Sequence, residues 1–597
     1  MSDSIDEELL DYYQRELTWL RQAGAGFAER YPKIASRLEL SAGECPDPHV
    51  ERLLESFSLL SARLQRRLDD GYAEFSDALL EQLYPLALRP LPSCAIARFE
   101  PDPSKGNLSE GYSLPRDTPL FVTTTAGDSI YFRSTAPVTL WPLEVADAVL
   151  LDTEETQALT GVPLARAALR LSLRNVGEEP WSALPIETLR IHLGGSPVIA
   201  AVLYDLLCGN ALRTLCGVPG SQPRAVGGCP EPVGFGDDEA LLPDEDGLHP
   251  GLRLLAEYFA CPEKFAFFDI PIGVPADAVD WLDVYILFDR TPSARLSLRK
   301  EDIVLGCAPV INLFPRTSEP LRPDGTRSEY RLIADAYREN STEIHRIRNL
   351  RAGAGPRAQW IAPYYACQHG MGEGRLFWHA RRVSGRNPGR HGTDMLLSLV
   401  DTHFNPAVDV PDYSLTAELL CTNRHLAETL PAGTRLDFER PGPVLRVSLL
   451  RSPHAQSLPA LGGASRWRLV SQLTLNHLSL VEGEQALAAL KEMLTLHNLR
   501  DEAAARRQIE GLSGITSVRI VERVGRDAWR GWRNGLEVRI GLDPQHFVGA
   551  SPLLFSGVLA HFFSLYANTN RFVRTVLLLG DKEIKTWRPQ VGEPLSL

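Results

Sequence analysis

Cysteine and histidine are the residues of this chain best suited to bind a metal ion or to act as a nucleophile or base. The chain has 597 residues with nine cysteines and 14 histidines. The cysteines are Cys45, Cys94, Cys208, Cys216, Cys229, Cys261, Cys307, Cys367 and Cys421. They are thinly spread, and the sequence contains neither a CxxC pair nor an HExxH motif, which are common zinc-binding spacings. The sequence therefore predicts no metal site and no cofactor, and it favours reduced, mostly buried thiols.

Phosphate binding and ester hydrolysis also depend on recognisable motifs. The chain has no GxxxxGK[ST] phosphate loop and no GxSxG nucleophile elbow, so neither a P-loop NTPase nor an α/β-hydrolase is supported. The glycine-rich run 370–374 does not have the spacing of GxGxxG, and a turn is the better interpretation of those glycines.

Isolated histidines and acids are the remaining candidates for catalysis. His477 lies among alternating leucines, and Glu482 would be its nearest acidic partner. A histidine in such a setting is more often a hydrogen-bonded structural residue than a general base. Asp269, Asp283 and Asp289 are predicted to cap or turn near apolar strands. The sequence assigns no catalytic residue and favours a protein that is not an enzyme.

The composition is that of a folded protein with several cores. Hydrophobic residues make up 44% and charged residues 23% of the chain, and its length suggests about four domains. The net charge of −13 disfavours binding to nucleic acid or to an anionic membrane surface. Because the first ten residues do not resemble a secretory signal and no run of about 18 apolar residues occurs, we expect a cytoplasmic protein that is not inserted in a membrane.

The first 90 residues carry a helical pattern that must position any interaction surface there. Ser4 and Glu7 have the spacing of a capping box, which predicts a helix from Ser4 to about Arg30. Its apolar positions repeat every 3.5 residues on average, which favours near-parallel helix packing. These positions are Leu10, Tyr13, Leu17, Leu20, Gly24, Phe27 and Tyr31.

A second amphipathic helix is predicted from Pro48, with Asp47 as its N-cap, to Gly71. A third, shorter one is predicted between Phe75 and Pro85. The apolar stripes fit either an intramolecular helical domain or a bundle shared with partner chains. At 1.5 Å per residue the first helix would be about 39 Å long, which favours the shared bundle.

Beyond residue 91 the apolar residues alternate with period two, as in Leu169, Leu171 and Leu173, which indicates half-buried strands. The predicted fold class is α+β and multidomain, with an N-terminal long-helix region, β-rich middle wing domains and a compact C-terminal α+β domain. The predicted parts are a helical bundle region (1–90), a β-rich domain (91–216), an irregular acidic loop rich in Gly and Pro (217–250), a second β-rich region (251–480) and the C-terminal domain (481–597).

Individual elements follow from the same patterns. The predicted strands are 120–122, 130–133, 283–288, 295–299, 517–524, 536–540, 573–579 and 582–587. The predicted helices are 197–207, 251–259, 484–499 and one that opens at Ser551 and Pro552, and 457–465 is predicted to be a loop.

Several long strings resemble one family in both wording and order. They include LLDYYQRELTWLRQAGAGFAERYPKIASRL (9–38), HVERLLESFSLLSARLQRRLDDGYAEFSDALLEQLYPLALRPLPS (49–93), EYFACPEKFAFFDI (257–270), LGCAPVINLFPRTSEPL (305–321), LCTNRHLAETLP (420–431) and FVGASPLLFSGVLAHFFSLYANTN (547–570). The sequence is similar over nearly its whole length to the TssF family, also called ImpG or VasA, of the bacterial type VI secretion baseplate.

The resemblance implies a structural protein without catalysis. It implies assembly with TssG, as two copies of TssF to one of TssG, and with TssK and TssE into a wedge. Six such wedges would surround the VgrG spike, contact neighbouring wedges and support sheath and tube polymerisation. A cytoplasmic platform docked through partners at the inner face of the inner membrane is expected. The resemblance does not say which domain contacts which partner, whether two copies differ in conformation, which effectors are delivered or what the segment 217–250 does.

The apolar side chains of the N-terminal helices are the predicted interface residues because their burial between chains would stabilise an assembly. They are Leu10, Leu17, Leu53, Phe57, Leu60 and Leu64. Two alternatives stay open, a hydrolase that acts on a polymer and an adaptor that works as a monomer. The hydrolase would need paired acids in a cleft, whereas the monomer would lack large exposed apolar patches.

Overall fold

The computed structural model is described for residues 2–591, except 36–47, 126, 245–247, 293–295, 326, 354–357, 365–375, 386–391, 402, 404–413, 440–441, 460–462, 474–484, 499, 501, 524–531, 565–566 and 568–570. The helices are α1 (Ser2–Arg30), α2 (Pro32–Ala35), α3 (Pro48–Leu83), α4 (Thr153–Thr160), α5 (Pro197–Gly209), α6 (Pro250–Ala260), α7 (Gly463–Leu473), α8 (Ala486–His497), α9 (Ala503–Glu510) and α10 (Pro552–Phe563).

The strands of the first half are β1 (Cys94–Pro101), β2 (Tyr112–Leu114), β3 (Pro119–Thr123), β4 (Ser129–Ser134), β5 (Val138–Leu140), β6 (Leu143–Leu151), β7 (Ala167–Asn175), β8 (Thr188–Leu193), β9 (Ala211–Gly217), β10 (Arg224–Val226), β11 (Glu231–Val233), β12 (Phe267–Pro271), β13 (Trp281–Phe288), β14 (Ile303–Leu305) and β15 (Cys307–Ile311). Those of the second half are β16 (Phe314–Thr317), β17 (Tyr330–Leu332), β18 (Glu343–Ala352), β19 (Gln359–Pro363), β20 (Phe377–Ser384), β21 (Thr393–Val400), β22 (Leu415–Thr422), β23 (Arg435–Phe438), β24 (Val444–Leu449), β25 (Leu512–Arg523), β26 (Trp532–Leu542), β27 (Phe572–Leu579), β28 (Lys582–Thr586) and β29 (Gln590–Val591).

The middle of the chain is built from a barrel, three larger sheets and the two-stranded sheet of β2 and β5. The strand orders are β1-β15-β4-β3-β23-β24 in the closed barrel, β10-β9-β13-β7-β6 and β11-β12-β8-β14 in two sheets, and β16-β22-β18-β19-β20-β21-β17 in the largest sheet. The barrel takes strands from both sides of the segment 217–250, so hydrogen-bonded sheets do not follow the predicted domain boundaries. The division into five parts remains a prediction, whereas the α+β fold class is confirmed.

The C-terminal part is the predicted mixture of helix and strand. β26 and β27 pair in parallel, and α10 forms the crossover between them, as parallel neighbours require. The side chain of Ser551 caps α10 by accepting a hydrogen bond from the Leu554 N–H at 2.9 Å, as predicted. The hairpin of β27 and β28 turns at Gly580, whose φ of 61° lies in the left-handed region.

One buried core joins this C-terminal part to the middle sheets. Residues 251–260 of α6 are buried on all sides. Most of them are apolar, and the two charged ones, Arg253 and Glu257, are buried in ion pairs. This helix packs against α10, where the rings of Tyr258 and Phe555 are 5.7 Å apart. The helices approach closely at Gly251, because a Cβ there would lie 2.7 Å from the His561 carbonyl oxygen.

Some local predictions are wrong. α3 is one continuous helix of 36 residues, so it does not end at Gly71. A glycine inside a helix costs only about 1 kcal/mol relative to alanine, which is too little by itself to end a helix of this length. α7 begins within 457–465, which was predicted to be a loop, and residues 296–299 are not a strand.

The segment 217–250 also differs from its prediction as an irregular loop. It contributes the edge strands β10 and β11 to two sheets, and it buries Leu241 and Leu242 in the main core. Strands of three residues are too short to show an alternating pattern, and so the sequence did not reveal them. The remaining predicted strands and helices coincide with elements of the structure to within a few residues.

Candidate protein interface

The helices α1 and α3 form an antiparallel pair. Arg21 makes an ion pair with Glu51, and ten residues further along α3 Ser61 donates a hydrogen bond of 2.6 Å to Glu16. The contacts therefore move towards the start of α1 as they move towards the end of α3, so the two helices run in opposite directions. At 1.5 Å per residue α3 is about 54 Å long, and we call the pair the helical hairpin.

Small side chains contribute to the contact between the two helices. Ser58 and Ala62 are fully buried on α3, and Ser61 beside them contacts α1. Residues spaced by three or four positions share one face of a helix, and short side chains on that face allow two helix axes to come close. Small residues therefore contribute to the face of α3 that meets α1, next to the half-buried Leu54.

The large apolar side chains of α3 point away from that contact. Leu53, Phe57, Leu60 and Leu64 are spaced by four, three and four residues and are 58–70% exposed. Since each residue turns the helix by about 100°, this face lies about a third to a half of a turn from the one that contains Ser58 and Ala62. We call these four residues the apolar stripe. An exposed stripe of this kind is typical of an interaction surface.

The two predicted interface residues on α1 differ in their exposure. Leu10 is 49% exposed, whereas Leu17 is half-buried. Sequence reasoning missed Trp19, which is 62% exposed, because it lies outside the repeat with an average spacing of 3.5 residues. Tryptophan is enriched among residues that dominate binding energy. Its residue type was therefore the signal in the sequence, and the structure shows that the side chain is exposed.

The base of the helical hairpin is held firmly by the rest of the protein. Leu80 and Tyr84, at and just after the end of α3, are buried, and Tyr84 stacks on His497 with ring centroids 5.1 Å apart. Burial lowers the pKa of His497 to about 4, so its ring is neutral at pH 7. Arg466 on α7 makes an ion pair with Asp77 on α3. The hairpin is thus anchored at one end and exposes apolar residues along its length.

A cleft in the middle of the chain is the place to look for a hydrolase. It has a volume of about 910 Å³ and is lined by residues that include Glu144, Arg190, Asp269 and Glu301. Asp269 accepts two hydrogen bonds of 2.8 Å from Arg190, which raise the pKa of that guanidinium, and Glu144 pairs with Arg174 at 2.6 Å. These two carboxylates are held by guanidinium groups, which is typical of structural ion pairs.

The three aspartates that the sequence singled out have structural partners. Asp269 and Asp283 lie within β12 and β13, so the prediction that they cap or turn is wrong for both. Asp283 accepts a hydrogen bond from Ser172 on the neighbouring strand at 2.6 Å. Asp289 follows β13 at a bend, as predicted, and accepts one from Asn210 at 2.8 Å. His477, Glu482, Cys45, Cys367 and the run 370–374 lie outside the described residues.

A group of residues able to hold a metal lies at the base of the barrel, although no spacing in the sequence indicated it. Donor atoms of Cys261, Glu263 and His454 lie within 4.8 Å of one another, and the nearby Cys94 thiol donates a hydrogen bond of 3.4 Å to the Ala260 carbonyl. Burial would raise the pKa of Cys94, but the Cys261 hydrogen bond and the charge of Arg500 outweigh it and lower this pKa to about 7. We call these four residues the thiol cluster.

Comparison with known proteins gives one family over almost the whole chain. The model of the family "Type VI secretion system, TssF" matches residues 5–594. The chain is 34% identical to the type VI secretion system component TssF1 of Pseudomonas aeruginosa, and the match covers 99% of this chain and all of that protein.

Two solved structures share the fold. A chain of the TssK-TssF-TssG baseplate subcomplex of the type VI secretion system has a TM-score of 0.70 at 23% identity and covers 91% of this chain and 99% of its own length. A chain of the type VI secretion baseplate complex has a TM-score of 0.62 at 23% identity and covers 98% and 99%. Among the described residues, none of the helices has both the length and the apolar character required to cross a membrane.

Proposed function

The chain belongs to the TssF family of the type VI secretion system, and on that premise we propose that it is a structural subunit of the secretion baseplate. The observation that carries this proposal is the apolar stripe on an anchored helical hairpin. A protein that worked as a monomeric adaptor would have little reason to keep four large apolar side chains exposed on one helix face.

The stripe gives the proposal an energetic basis. Burial of a fully exposed leucine or phenylalanine side chain stabilises an interface by about 1.5–3 kcal/mol. Because the four residues of the stripe are 58–70% exposed, covering them would contribute about 4–7 kcal/mol. Association costs about 4–15 kcal/mol in lost freedom of motion. The stripe is therefore a strong anchor but not a complete interface, and a permanent assembly would need further surfaces, with roughly 2,000 Å² or more buried in total.

The partners we propose are the TssG and TssK proteins of the same cell. A structure that shares this fold comes from a subcomplex of TssK, TssF and TssG. We propose that TssG covers the apolar stripe and that two copies of this chain join one TssG. TssE, the VgrG spike and neighbouring wedges would complete the assembly, and the whole platform would dock at the inner face of the inner membrane through its partners.

We propose that this work is done by binding alone, without catalysis, metal redox chemistry or a cofactor. The two cleft acids Glu144 and Asp269 are occupied by arginines, which supports a structural role for the cleft. The adaptor alternative would require the stripe to stay exposed in the cell.

The first test is the doubly substituted chain Phe57→Asp and Leu60→Asp, co-expressed with TssG. Two charges on the stripe would have to lose their hydration in the interface, so we expect co-purification of TssG to be lost. The matched control is Arg52→Asp with Leu59→Asp, since both residues are exposed on α3 and neither is three, four or seven positions from a residue of the stripe. This control should retain TssG. Full retention by the Phe57 and Leu60 variant would show that the hairpin is not the TssG interface.

Native mass spectrometry of the unmodified chain tests the stoichiometry. We expect a complex of two copies of this chain with one TssG. A chain that stays monomeric in the presence of TssG would contradict the assembly proposal itself, whichever surface is involved.

A further inference from the structure

The thiol cluster brings together four potential metal ligands from three distant parts of the chain. Cys94 begins β1, Cys261 follows α6, Glu263 lies two residues later, and His454 lies in the segment after β24. Ligand atoms of the last three lie within 4.8 Å of one another, and the Cys94 thiol next to them donates a hydrogen bond of 3.4 Å to the carbonyl of Ala260, the residue before Cys261. Cys261, Glu263 and His454 therefore surround a common point, and Cys94 is the nearby thiol that could supply a fourth ligand.

Backbone hydrogen bonds hold these ligands in place. The N–H of His454 donates to the carbonyl of Cys94 at 2.8 Å, and the N–H of Leu450 donates to that of Ile96 at 2.9 Å, so the segment after β24 runs alongside β1. The N–H of Cys261 donates to the carbonyl of Glu257 at 2.8 Å and ends α6. Since the backbone is fixed on both sides, binding an ion would require little reorganisation of the chain.

We propose that the thiol cluster binds one zinc ion through Cys94, Cys261, His454 and Glu263. Structural zinc sites are tetrahedral and use cysteine sulfur, histidine nitrogen and carboxylate oxygen at about 2.0–2.3 Å. Bonds of that length place the ligand atoms roughly 3.3–3.8 Å apart. The ligand atoms of Cys261, Glu263 and His454, which lie within 4.8 Å of one another, would have to approach by no more than about 1.5 Å to reach such separations, and the Cys94 side chain would turn towards them. Soft thiolates together with an imidazole select zinc over magnesium or calcium.

The charges around the cluster fit an ion with these ligands. Two thiolates and one carboxylate would carry three negative charges against two on Zn²⁺, which leaves a net charge of −1. Nη2 of Arg500 lies 4.0 Å from the Cys94 sulfur, and Nη1 of Arg451 lies 3.6 Å from Glu263 Oε1. These two guanidinium groups would stabilise the extra negative charge, as hydrogen-bonding groups outside the ligand shell commonly do.

Zinc binding would exchange protons of the ligands for the metal ion, with no change of oxidation state. His454 Nε2 lies 2.8 Å from Glu263 Oε2 and shares a proton with it. Zinc would take the place of that proton and of the thiol protons, which leave to solvent. Both sulfurs are buried, whereas Glu263 and His454 are each 25% exposed, so the ion has a route of entry from the side of the imidazole and the carboxylate.

The site would stabilise the place where the helical hairpin enters the body of the protein. Leu91 and Ser457 exchange backbone hydrogen bonds of 2.8 and 3.0 Å next to the cluster, and Arg500 donates to the Ala260 carbonyl. The metal would thus connect β1, α6 and the segment after β24, and it would do so whether or not the protein is a baseplate subunit.

The test is zinc content by mass spectrometry after purification of the full chain from zinc-supplied cells in a reducing buffer without chelator. We expect about one zinc per chain, and at least a tenfold lower content in the Cys94→Ser and Cys261→Ser double variant. The matched control is the Cys216→Ser and Cys229→Ser double variant, which removes two free thiols outside the cluster and should keep its zinc. Equal zinc in the two double variants would overturn the proposal.

A second measurement keeps the proposal testable if the double variant does not fold. The unmodified chain is stripped of metal and titrated with Co²⁺, which should give the visible bands of a tetrahedral site and the near-ultraviolet bands of cobalt bound to thiolate. His454→Gln should weaken Co²⁺ binding at least tenfold. The absence of these bands from the reduced chain, or a Cys94 to Cys261 disulfide as the form isolated from reducing cytosol, would overturn the zinc site.

Discussion

The helical hairpin and the core around α6 use apolar side chains in opposite ways. On α3 the four large residues of the apolar stripe are exposed, whereas the small residues Ser58 and Ala62 are buried. Around α6 every large apolar residue is buried, and the few charges are buried with partners, as in the pair of Lys264 and Glu257. The core residues stabilise the fold of the single chain. The hairpin residues contribute little to that fold, so their burial energy remains available for binding another chain.

Replacing a phenylalanine by alanine should strongly destabilise the core but hardly change the stability of the fold when it is made on the hairpin. Phe555 is fully buried and Phe57 is 58% exposed. Phe555→Ala should lower the free energy of unfolding by about 3–5 kcal/mol because it leaves a cavity, whereas Phe57→Ala should change it by no more than about 0.5 kcal/mol. Urea denaturation of both variants measures this difference.

For TssG binding, Phe57→Ala should have the larger effect of the two variants. It should weaken TssG binding by about 2 kcal/mol, or roughly thirtyfold, and calorimetric titration measures that loss. Phe555→Ala should leave the affinity of the folded fraction unchanged. Equal losses of stability in the two variants would contradict the division between core and hairpin.

The periodic regions were the ones that the sequence predicted well. The spacing of Leu53, Phe57, Leu60 and Leu64 correctly placed four side chains on one helix face, because a helix repeats over a few residues and its face is a local property. Whether that face packs inside the chain or stays exposed depends on Ser58 and Ala62, whose small size lets α1 cover a different face. The pattern of large residues alone did not decide between these outcomes.

Features made by distant parts of the chain were not predictable from spacing. The ligands of the thiol cluster are separated by up to 360 positions, from Cys94 to His454, and only the fold brings them together. The short strands of 217–250 were missed for a related reason. They are stabilised by pairing with the partner strands β9 and β12, and a strand of three residues has no repeat of its own.

A second comparison concerns buried and exposed charge. Lys264 forms an ion pair with Glu257 in which both side chains are almost completely buried, whereas Lys105 pairs with Asp102 while half exposed. Lys264→Met would leave the Glu257 carboxylate without its ammonium partner, so we expect a loss of about 3–5 kcal/mol in the free energy of unfolding. Lys105→Met should cost no more than about 1 kcal/mol. Equal midpoints of urea denaturation would show that the buried pair does not stabilise the core.

The contact between α5 and α10 should make the stability of the core depend on pH. Asp205 accepts a hydrogen bond of 2.5 Å from Ser551, and burial raises its pKa from 3.8 to about 7. Between about pH 4 and pH 7 the folded protein holds a proton that the unfolded chain has released. The contribution of Asp205 to stability is therefore greatest at low pH and is lost as pH rises towards 7.

Asp205→Asn should remove this loss of stability with rising pH. From the raised pKa of Asp205, the loss should be about a few kcal/mol in the free energy of unfolding. Urea denaturation between pH 5 and pH 8 should show the variant gaining stability relative to the unmodified chain as pH rises. Asp289→Asn is the control, because Asp289 is exposed and should leave the pH dependence unchanged. Parallel curves for Asp205→Asn and the unmodified chain would mean that Asp205 is ionised in the folded protein.

The smallest expected effect tests the small-residue contact inside the hairpin. Ala62 is fully buried, whereas Gln65, three residues along α3, is exposed. Ala62→Leu should push α1 away from α3, since overpacking of a close contact typically costs about 1–3 kcal/mol, and Gln65→Leu should have almost no effect. Hydrogen exchange of the α1 amides measures the local opening and should speed up only in Ala62→Leu. Unchanged exchange there would mean that α1 is held by the polar pairs Arg21–Glu51 and Glu16–Ser61 rather than by close packing, and the hairpin would then differ from the core in its internal contacts as well as in its exposed face.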